Sequence, residues 1–342
     1  MDVLALFSST VLLATAFGST LTATRWYEGF ATRCGIVAHP NFRTLHEKPT
    51  PRGGGIVFAL ICLCTVGILA LRGIIAPELG LALLAGGAGA TAVGFLDDVR
   101  NLSAATKLAA QGVLAIAALL SADFRPLFHV AGVPLPVELV LSWFALVWLM
   151  NVYNFIDGID GMAASNAIFL SAAAILVLAL GAGPDLAIPL LFAVIAASTL
   201  AFLIRNRPPA RVFMGDSGSL FLGYVFGVLI ARTVTNGQIT IWVWLIVLGY
   251  LLGDTTTTTL VRIFIVKRWY GAHRSHAYQN LARIWRSHSR VVLLVVIFNV
   301  SWLLPLAVLA TLVPPTAPLA AALALLPVVL LTLRYGPRES SS

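Results

Sequence analysis

Charge is what this sequence has least of. Asp, Glu, Lys and Arg make up 11% of its 342 residues, where a soluble globular domain carries about 25%. With a mean hydropathy of +0.93, an ordinary soluble domain is excluded and an all-α, polytopic integral membrane protein is expected. Cysteine is almost absent. Cys62 and Cys64 fall inside an apolar run and Cys34 in a polar loop, so no disulfide framework is expected. HExxH and Cys-rich spacings are missing, which leaves no zinc signature. No linker, low-complexity tract or clear internal repeat divides the chain, and residues 1–342 are read as one transmembrane domain.

Long apolar runs are what the sequence has most of. A helix needs roughly 20 apolar residues to cross the hydrocarbon, and on that ruler about eleven transmembrane helices are expected. They cover residues 3–22, 54–72, 79–96, 107–121, 137–156, 163–182, 186–204, 217–232, 239–262, 291–312 and 317–333. The fourth and eighth are short. The first lacks a positive leading segment and is read as a retained helix, not as a cleaved signal. The run Thr255–Thr259 is a compositional oddity whose hydroxyls are expected to bond back to helix carbonyls.

Lys and Arg in short loops stay on the cytoplasmic side. Nineteen of the 22 basic residues fall on one side of the spans, and only Arg72, Arg125 and Arg232 on the other. The amino terminus is therefore expected outside and the carboxyl terminus in the cytoplasm. The net charge of +8 is mostly this topological signal. It forms no basic groove with interleaved aromatics, so the partner is the lipid bilayer and not nucleic acid.

Acidic residues are few, and their placement is informative. Asp97, Asp98, Asp157, Asp160, Asp216 and Asp254 lie at or near the cytoplasmic ends of apolar runs. An ionisable group costs about 3 kcal/mol at the centre of a spanning helix, so their gathering at one membrane face asks for a ligand, such as a divalent metal with a polyphosphate. His46 to Gly55, with Lys48, Arg52 and three glycines ahead of a helix, is a candidate phosphate cradle. Adjacent Asp97 and Asp98 repel and call for cations such as Lys107; one of the pair is a candidate base. Asn151, Asn154, Asp157 and Asp160 recur every three residues, which would align four oxygen-bearing side chains on one helical face. Gly158 and Gly161 allow that helix to unwind instead. Amide and carboxylate oxygens are the hard donors Mg²⁺ prefers. Asp216 sits in Gly215-Asp216-Ser217-Gly218-Ser219, a string like that of serine proteases but set in a membrane loop, where it suits a metal ligand better than a nucleophile. The last inner loop carries His273, Arg274, His276 and Tyr278, donors suited to phosphate oxygens.

Taken together, PTPRGGG, GFLDD, NVYNFIDGIDG, FMGDSGSLFLG and a histidine-bearing last inner loop resemble the polyprenyl-phosphate N-acetylhexosamine-1-phosphate transferase family. That family includes the peptidoglycan translocase and the enzymes that initiate O-antigen and teichoic-acid linkage units. The resemblance spans residues 46 to 280 with the motifs in matching order. It implies a cytoplasmic-face enzyme of the bacterial inner membrane that moves a sugar-1-phosphate from a UDP-sugar to undecaprenyl phosphate, releasing UMP, with Mg²⁺ or Mn²⁺ as cofactor. It also implies roles. Asp216 and Asn154 match metal ligands. Asp97, Asp98, Lys107, Asp157 and His276 are candidate catalytic residues. Lys48, Arg52, Asn151, Gly158, Asp160, Phe213, Asp254, Arg274 and Tyr278 are candidate substrate-binding residues, Phe213 by stacking on uracil. Where relatives carry a histidine run, this chain reads His276-Ala277-Tyr278, and Tyr278 is expected to replace a histidine as donor to sugar or phosphate. The string SHAYQ is similar to the branch that starts O-antigen with 6-deoxy-aminosugars, which leaves UDP-GlcNAc, UDP-FucNAc and UDP-QuiNAc open. A homodimer is a candidate assembly. The competing class, a transporter or flippase of lipid-linked or anionic solutes, would place its charges near the bilayer midplane.

Overall fold

The computed structural model describes residues 3–38, 49–121, 133–181, 186–265 and 275–337. Lys48 and Arg274 lie outside the described residues. Nearly every element is helical, as the apolar runs dictate. α1 (Val3–Arg33) leads into a short antiparallel pair, β1 (Val37–Ala38) with β2 (Thr50–Pro51), in which Val37 faces Pro51. There follow α2 (Gly55–Leu71), α3 (Pro77–Leu81), a π turn at Ala82–Gly86, α4 (Gly87–Arg100), α5 (Ala104–Ser121), α6 (Leu135–Ile156) and α7 (Met162–Gly181). The second half holds α8 (Ala187–Asn206), α9 (Gly215–Thr235), α10 (Ile241–Val247), α11 (Gly249–Ile265), α12 (Ala277–Trp285), α13 (His288–Phe298), a second π turn, α14 (Leu304–Leu312) and α15 (Ala317–Tyr335).

Among the described residues, seven helical stretches are long and apolar enough to cross a bilayer, or eight if α10 and α11 form one span. All eleven expected runs are helical, but three miss that measure. α2 and α5 are short apolar helices. α1 is 31 residues long, and its apolar run begins in residues 3–8, whose side chains lie outside the described residues. The run expected over 239–262 is broken, with α10 and α11 meeting at an angle of 80°.

α9 is the axis of the bundle. Of its apolar window 83% is buried, under α4, α6 and α2. In lipid, helices associate through close packing instead of hydrophobic exclusion, so small residues mark the contacts. A Cβ on Gly223 would lie 2.5 Å from Met150 Cα of α6, and one on Gly227 would lie 2.8 Å from Leu146 Cδ2. Gly55 of α2 lies against Gly218, and Gly94 of α4 against the backbone of Asp216 and Ser217. The π turn before α4 has a local cause as well. Tyr224 of α9 donates to the Ala82 carbonyl at 3.1 Å, and its ring fills the space that Gly86 leaves.

Gly223→Val should force α6 and α9 apart, at about 1–3 kcal/mol for overpacking, and lower the melting temperature in detergent. Gly67→Ala, whose new methyl meets only Leu84 Cδ2 at 3.9 Å, should melt with the wild type. Equal melting of the two variants would contradict this account of the axis.

Candidate active site

The site is built around the first turn of α9. The opening amides of a helix have no partner within it. Here two carboxylates from elsewhere in the chain supply partners. Asp98, near the end of α4, accepts from Asp216 N through Oδ1 and from Ser217 N through Oδ2, both at 3.1 Å. Asp157, which follows α6, accepts from Gly215 N. Asp98 is also paired with Arg52, whose Nε and Nη2 reach its Oδ1 at 3.2 and 3.1 Å. Its side chain is fully buried and surrounded by donors.

Asp97 is the next residue of the helix, about 100° further round, and meets different neighbours. α4 ends at Asn101, which takes the left-handed conformation at φ 51° and donates to Asp97 O. That turn aims Leu102 N at Asp97 Oδ1, 2.7 Å away. Asp97 Oδ2 accepts from Lys107 Nζ at 3.1 Å, and the same ammonium donates to Asp216 Oδ2 at 2.9 Å. Lys107, in the first turn of α5, therefore joins α4 to α9. Asp157 lies among these groups. Burial pushes its carboxyl well above the usual carboxylate range, the negative Asp216 and Asp98 push it further, and the Gly215 amide opposes them.

The segment expected to be a phosphate cradle packs against the loop before α9. The Gly54 and Gly55 amides donate to Phe213 O and Met214 O, both at 2.9 Å, and Phe213 N donates to Pro51 O at 2.8 Å. Ser217 Oγ reaches Gly53 O at 3.1 Å. Gly53, at φ +76°, lies under Tyr27 and Asp98. The three glycines let this strand lie against the loop before α9, so the close approach they permit is to the protein's own backbone. Phe213 is thereby clamped on both sides of its peptide, and the residue is partly buried.

The four-residue polar register dissolves for a similar reason: α6 stops at Ile156. Asn151 stays in the helix and ties it to α5 through Gln111 at 2.7 Å. Asn154 reaches Ser219 of α9 at 3.2 Å. Ser219 is one turn beyond Asp216, so Asn154 and Asp216 share a face of α9. Asp160 turns the other way, to Ala210 N at 3.0 Å. Only Asn154 and Asp157 of the register join the α9 cluster.

Asp254, His276, Tyr278 and Gly158 form a second group. Asp254, 1% exposed within α11, accepts from Ala277 N at 3.0 Å and Tyr278 N at 3.3 Å, capping α12 as Asp98 caps α9. Thr258 and Thr332 hydroxyls reach the same carboxylate at 3.2 and 3.4 Å. His276 is buried between the rings of Phe155 and Tyr278. Tyr278 Oη donates to Phe155 O at 2.6 Å, one of the carbonyls left open where α6 ends. A Cβ on Gly158 would collide with that hydroxyl. Asp254 and Tyr278, expected to contact substrate, shape the turn carrying Asn154 and Asp157. Their fixed partners are backbone groups that spacing alone does not reveal. Thr255 and Thr259 do bond back to Leu251 O and Thr255 O, at 2.6 and 2.8 Å.

The donor set fits a hard divalent cation. The carboxyl groups of Asp97, Asp98, Asp157 and Asp216 crowd one end of the bundle, and the two cations among them, Arg52 and Lys107, leave negative charge in excess. Among the described residues, no three His, Cys, Asp or Glu side chains enclose an ion by themselves. Mg²⁺ usually takes one or two carboxylates and completes its shell with water and substrate phosphate.

Because Asp98 holds a buried ion pair and two amides, Asp98→Asn should destabilise the protein by about 3 kcal/mol. Asp97→Asn should cost less, because Lys107 keeps Asp216 as its partner. Thermal melts of both variants in one detergent check the order, and a reversed order would remove Asp98 from its capping role.

Comparison with known proteins identifies the family. The family model described as glycosyl transferase family 4 matches residues 80–234, which run from α3 through α9. The probable undecaprenyl-phosphate N-acetylglucosaminyl 1-phosphate transferase of Bacillus subtilis (strain 168) is 34% identical over 280 residues, 78% of this chain and 75% of that relative. The decaprenyl-phosphate N-acetylglucosaminephosphotransferase of Mycolicibacterium smegmatis is 32% identical, covering 85% of this chain and 78% of its own. A phospho-N-acetylmuramoyl-pentapeptide-transferase of Desulforamulus reducens is 31% identical, over 64% and 69%. With relatives agreeing over most of its length, and Asp97, Asp98, Lys107, Asp157 and Asp216 inside the region the family model matches, the chain belongs to glycosyl transferase family 4, among the polyprenyl-phosphate N-acetylhexosamine-1-phosphate transferases.

Proposed function

We propose that the protein transfers an N-acetylated aminosugar 1-phosphate from a UDP-sugar to undecaprenyl phosphate, giving a polyprenyl-diphosphate-linked sugar and UMP. The observation that carries the reading is the convergence of Asp97, Asp98, Asp157 and Asp216 with Arg52 and Lys107 around the start of α9. The names of the relatives support it. The site lies at the cytoplasmic face of a bacterial inner membrane, in a chain of eleven spans with its amino terminus outside. The asymmetry of the basic residues supports that orientation. The product opens a cell-surface glycan, with O-antigen as the pathway suggested by the SHAYQ loop. UDP-GlcNAc heads the candidate donors because two relatives are named for N-acetylglucosamine.

Mg²⁺, with Mn²⁺ as substitute, is the cofactor in this reading, held by Asp216 and Asn154. When bound it supplies positive charge to the donor diphosphate and to the leaving UMP oxygen. The remaining work belongs to the chain. Lys107 is fixed between Asp97 and Asp216, where its ammonium offsets the repulsion between two phosphates. Both Asp97 oxygens hold donors, Leu102 N and Lys107 Nζ, which suits holding that lysine better than taking a proton. A phosphate monoester is already largely ionised near neutral pH, so direct attack by the lipid phosphate needs no strong base. Asp98 keeps α9 in place. Phe213, partly buried beside the cluster, is the stacking partner for uracil in this reading.

Purified protein given undecaprenyl phosphate, Mg²⁺ and a panel of UDP-GlcNAc, UDP-FucNAc and UDP-QuiNAc should release UMP with at least one donor. Asp216→Asn should abolish that release, and normal turnover would take Asp216 out of the metal site. Phe213→Ala should raise the donor KM about tenfold, in the range of one lost aromatic–base stack, and leave the acceptor KM unchanged. An unaltered donor KM would place uracil elsewhere.

A further inference from the structure

We infer that His288, at the start of α13, is a positioning residue for the donor-binding loop and acts through Asp160. The inference rests on the transferase reading above and names a residue that it does not use. Asp160 lies in the turn between α6 and α7. Its Oδ2 accepts from Ala210 N at 3.0 Å and lies 3.3 Å from His288 Nδ1. The same ring nitrogen is 3.3 Å from Asp160 N. These two contacts use opposite protonation of Nδ1, and either one ties the imidazole to Asp160. Both side chains are largely buried, with 14% and 12% exposed. His288 Nε2 is closed off from solvent with no hydrogen-bond partner among the described residues, so Nδ1 carries the polar role of the ring.

The loop gripped in this way leads to Phe213. Gly161 N donates to Asn206 Oδ1 at 3.0 Å, and Asn206 Nδ2 donates to Val212 O at 3.0 Å. The turn after α6 therefore holds residues 206–212 at two points, Asp160 to Ala210 and Gly161 to Asn206. His288 braces the first of them from 128 residues away. On the other side of the site, Asp97, Lys107 and Asp98 are held by contacts in which His288 takes no part. Loss of the imidazole frees the Asp160 carboxylate to turn from Ala210 and loosens the peptide on which Phe213 sits. The consequence falls on the nucleotide and spares the lipid phosphate.

The test uses the full-length protein with Mg²⁺, undecaprenyl phosphate and the UDP-sugar that the wild type accepts, reading UMP release while each substrate is varied. His288→Ala should raise the donor KM about tenfold, as for a lost hydrogen bond to a charged group, with acceptor KM and kcat held within about twofold. His288→Asn, whose amide falls near the Nδ1 position, should restore the donor KM. His288→Gln, whose amide reaches the Nε2 position, should not. Equal increases in both KM values, a loss confined to kcat, an alanine variant identical to wild type, or rescue by Gln in place of Asn would each overturn the inference. If the alanine variant fails to fold, the comparison of Asn with Gln decides. Wild-type protein that releases no UMP with any donor would instead overturn the transferase reading, so the two failures are distinguishable.

Discussion

The structure depends on how the first turn of α9 is satisfied. A helix that starts inside a membrane bundle exposes unpaired amides where water is scarce, and each is costly to leave open. Such a helix start is also an anion site by virtue of its dipole. In this protein that site is already filled, by Asp98 from α4 and Asp157 from the end of α6. The amides of α9 therefore serve the fold. In the proposed reading, recognition of substrate phosphate falls to Arg52, Lys107 and the cation held by the remaining carboxylates. A single capping arrangement thus fixes three separate segments and determines which groups are available for chemistry.

The same solution is used a second time. Asp254 caps α12 as Asp98 caps α9, and in both cases the carboxylate comes from another helix. The second cap acts at a distance. It holds α12 so that Tyr278 meets the Phe155 carbonyl, which sets the turn on which Asn154 and Asp157 sit. The carboxyl-terminal third of the chain is in this way part of the scaffold of the candidate site, although the family model ends at residue 234.

Much of this was legible in the sequence, and what was not has physical reasons. Apolar runs gave the helices, because a membrane helix must carry its own hydrophobicity. Hydropathy could not reveal the 80° break between α10 and α11, since both halves are apolar and the break falls at Leu248 and Gly249 with no proline to mark it. Of the acidic residues at span ends, Asp97, Asp98, Asp157 and Asp216 do come together in the fold. Their individual partners were hidden, because spacing describes one face of one helix and says nothing of what packs against it. PRGGG illustrates the ambiguity: glycine permits close approach, and here the approaching backbone is residues 213–218 of the protein itself. His288 carried no signal at all, being a single histidine at a helix start whose partner lies 128 residues earlier.

Adjacent residues with different fates show where chemistry and structure part company. Asp97 and Asp98 are equivalent by composition, yet one helical step sends Asp98 into a closed set of donors and Asp97 toward a shared lysine. A carboxylate bound by an arginine and two amides has no freedom to respond to substrate. One that shares an ammonium with a second carboxylate does, because that ammonium can exchange a carboxylate oxygen for a phosphate oxygen at small cost. In the proposed reaction the reacting line of the site accordingly runs through Asp97, Lys107 and Asp216. Asp98 is the residue that keeps the line straight, by fixing the helix from which Asp216 projects.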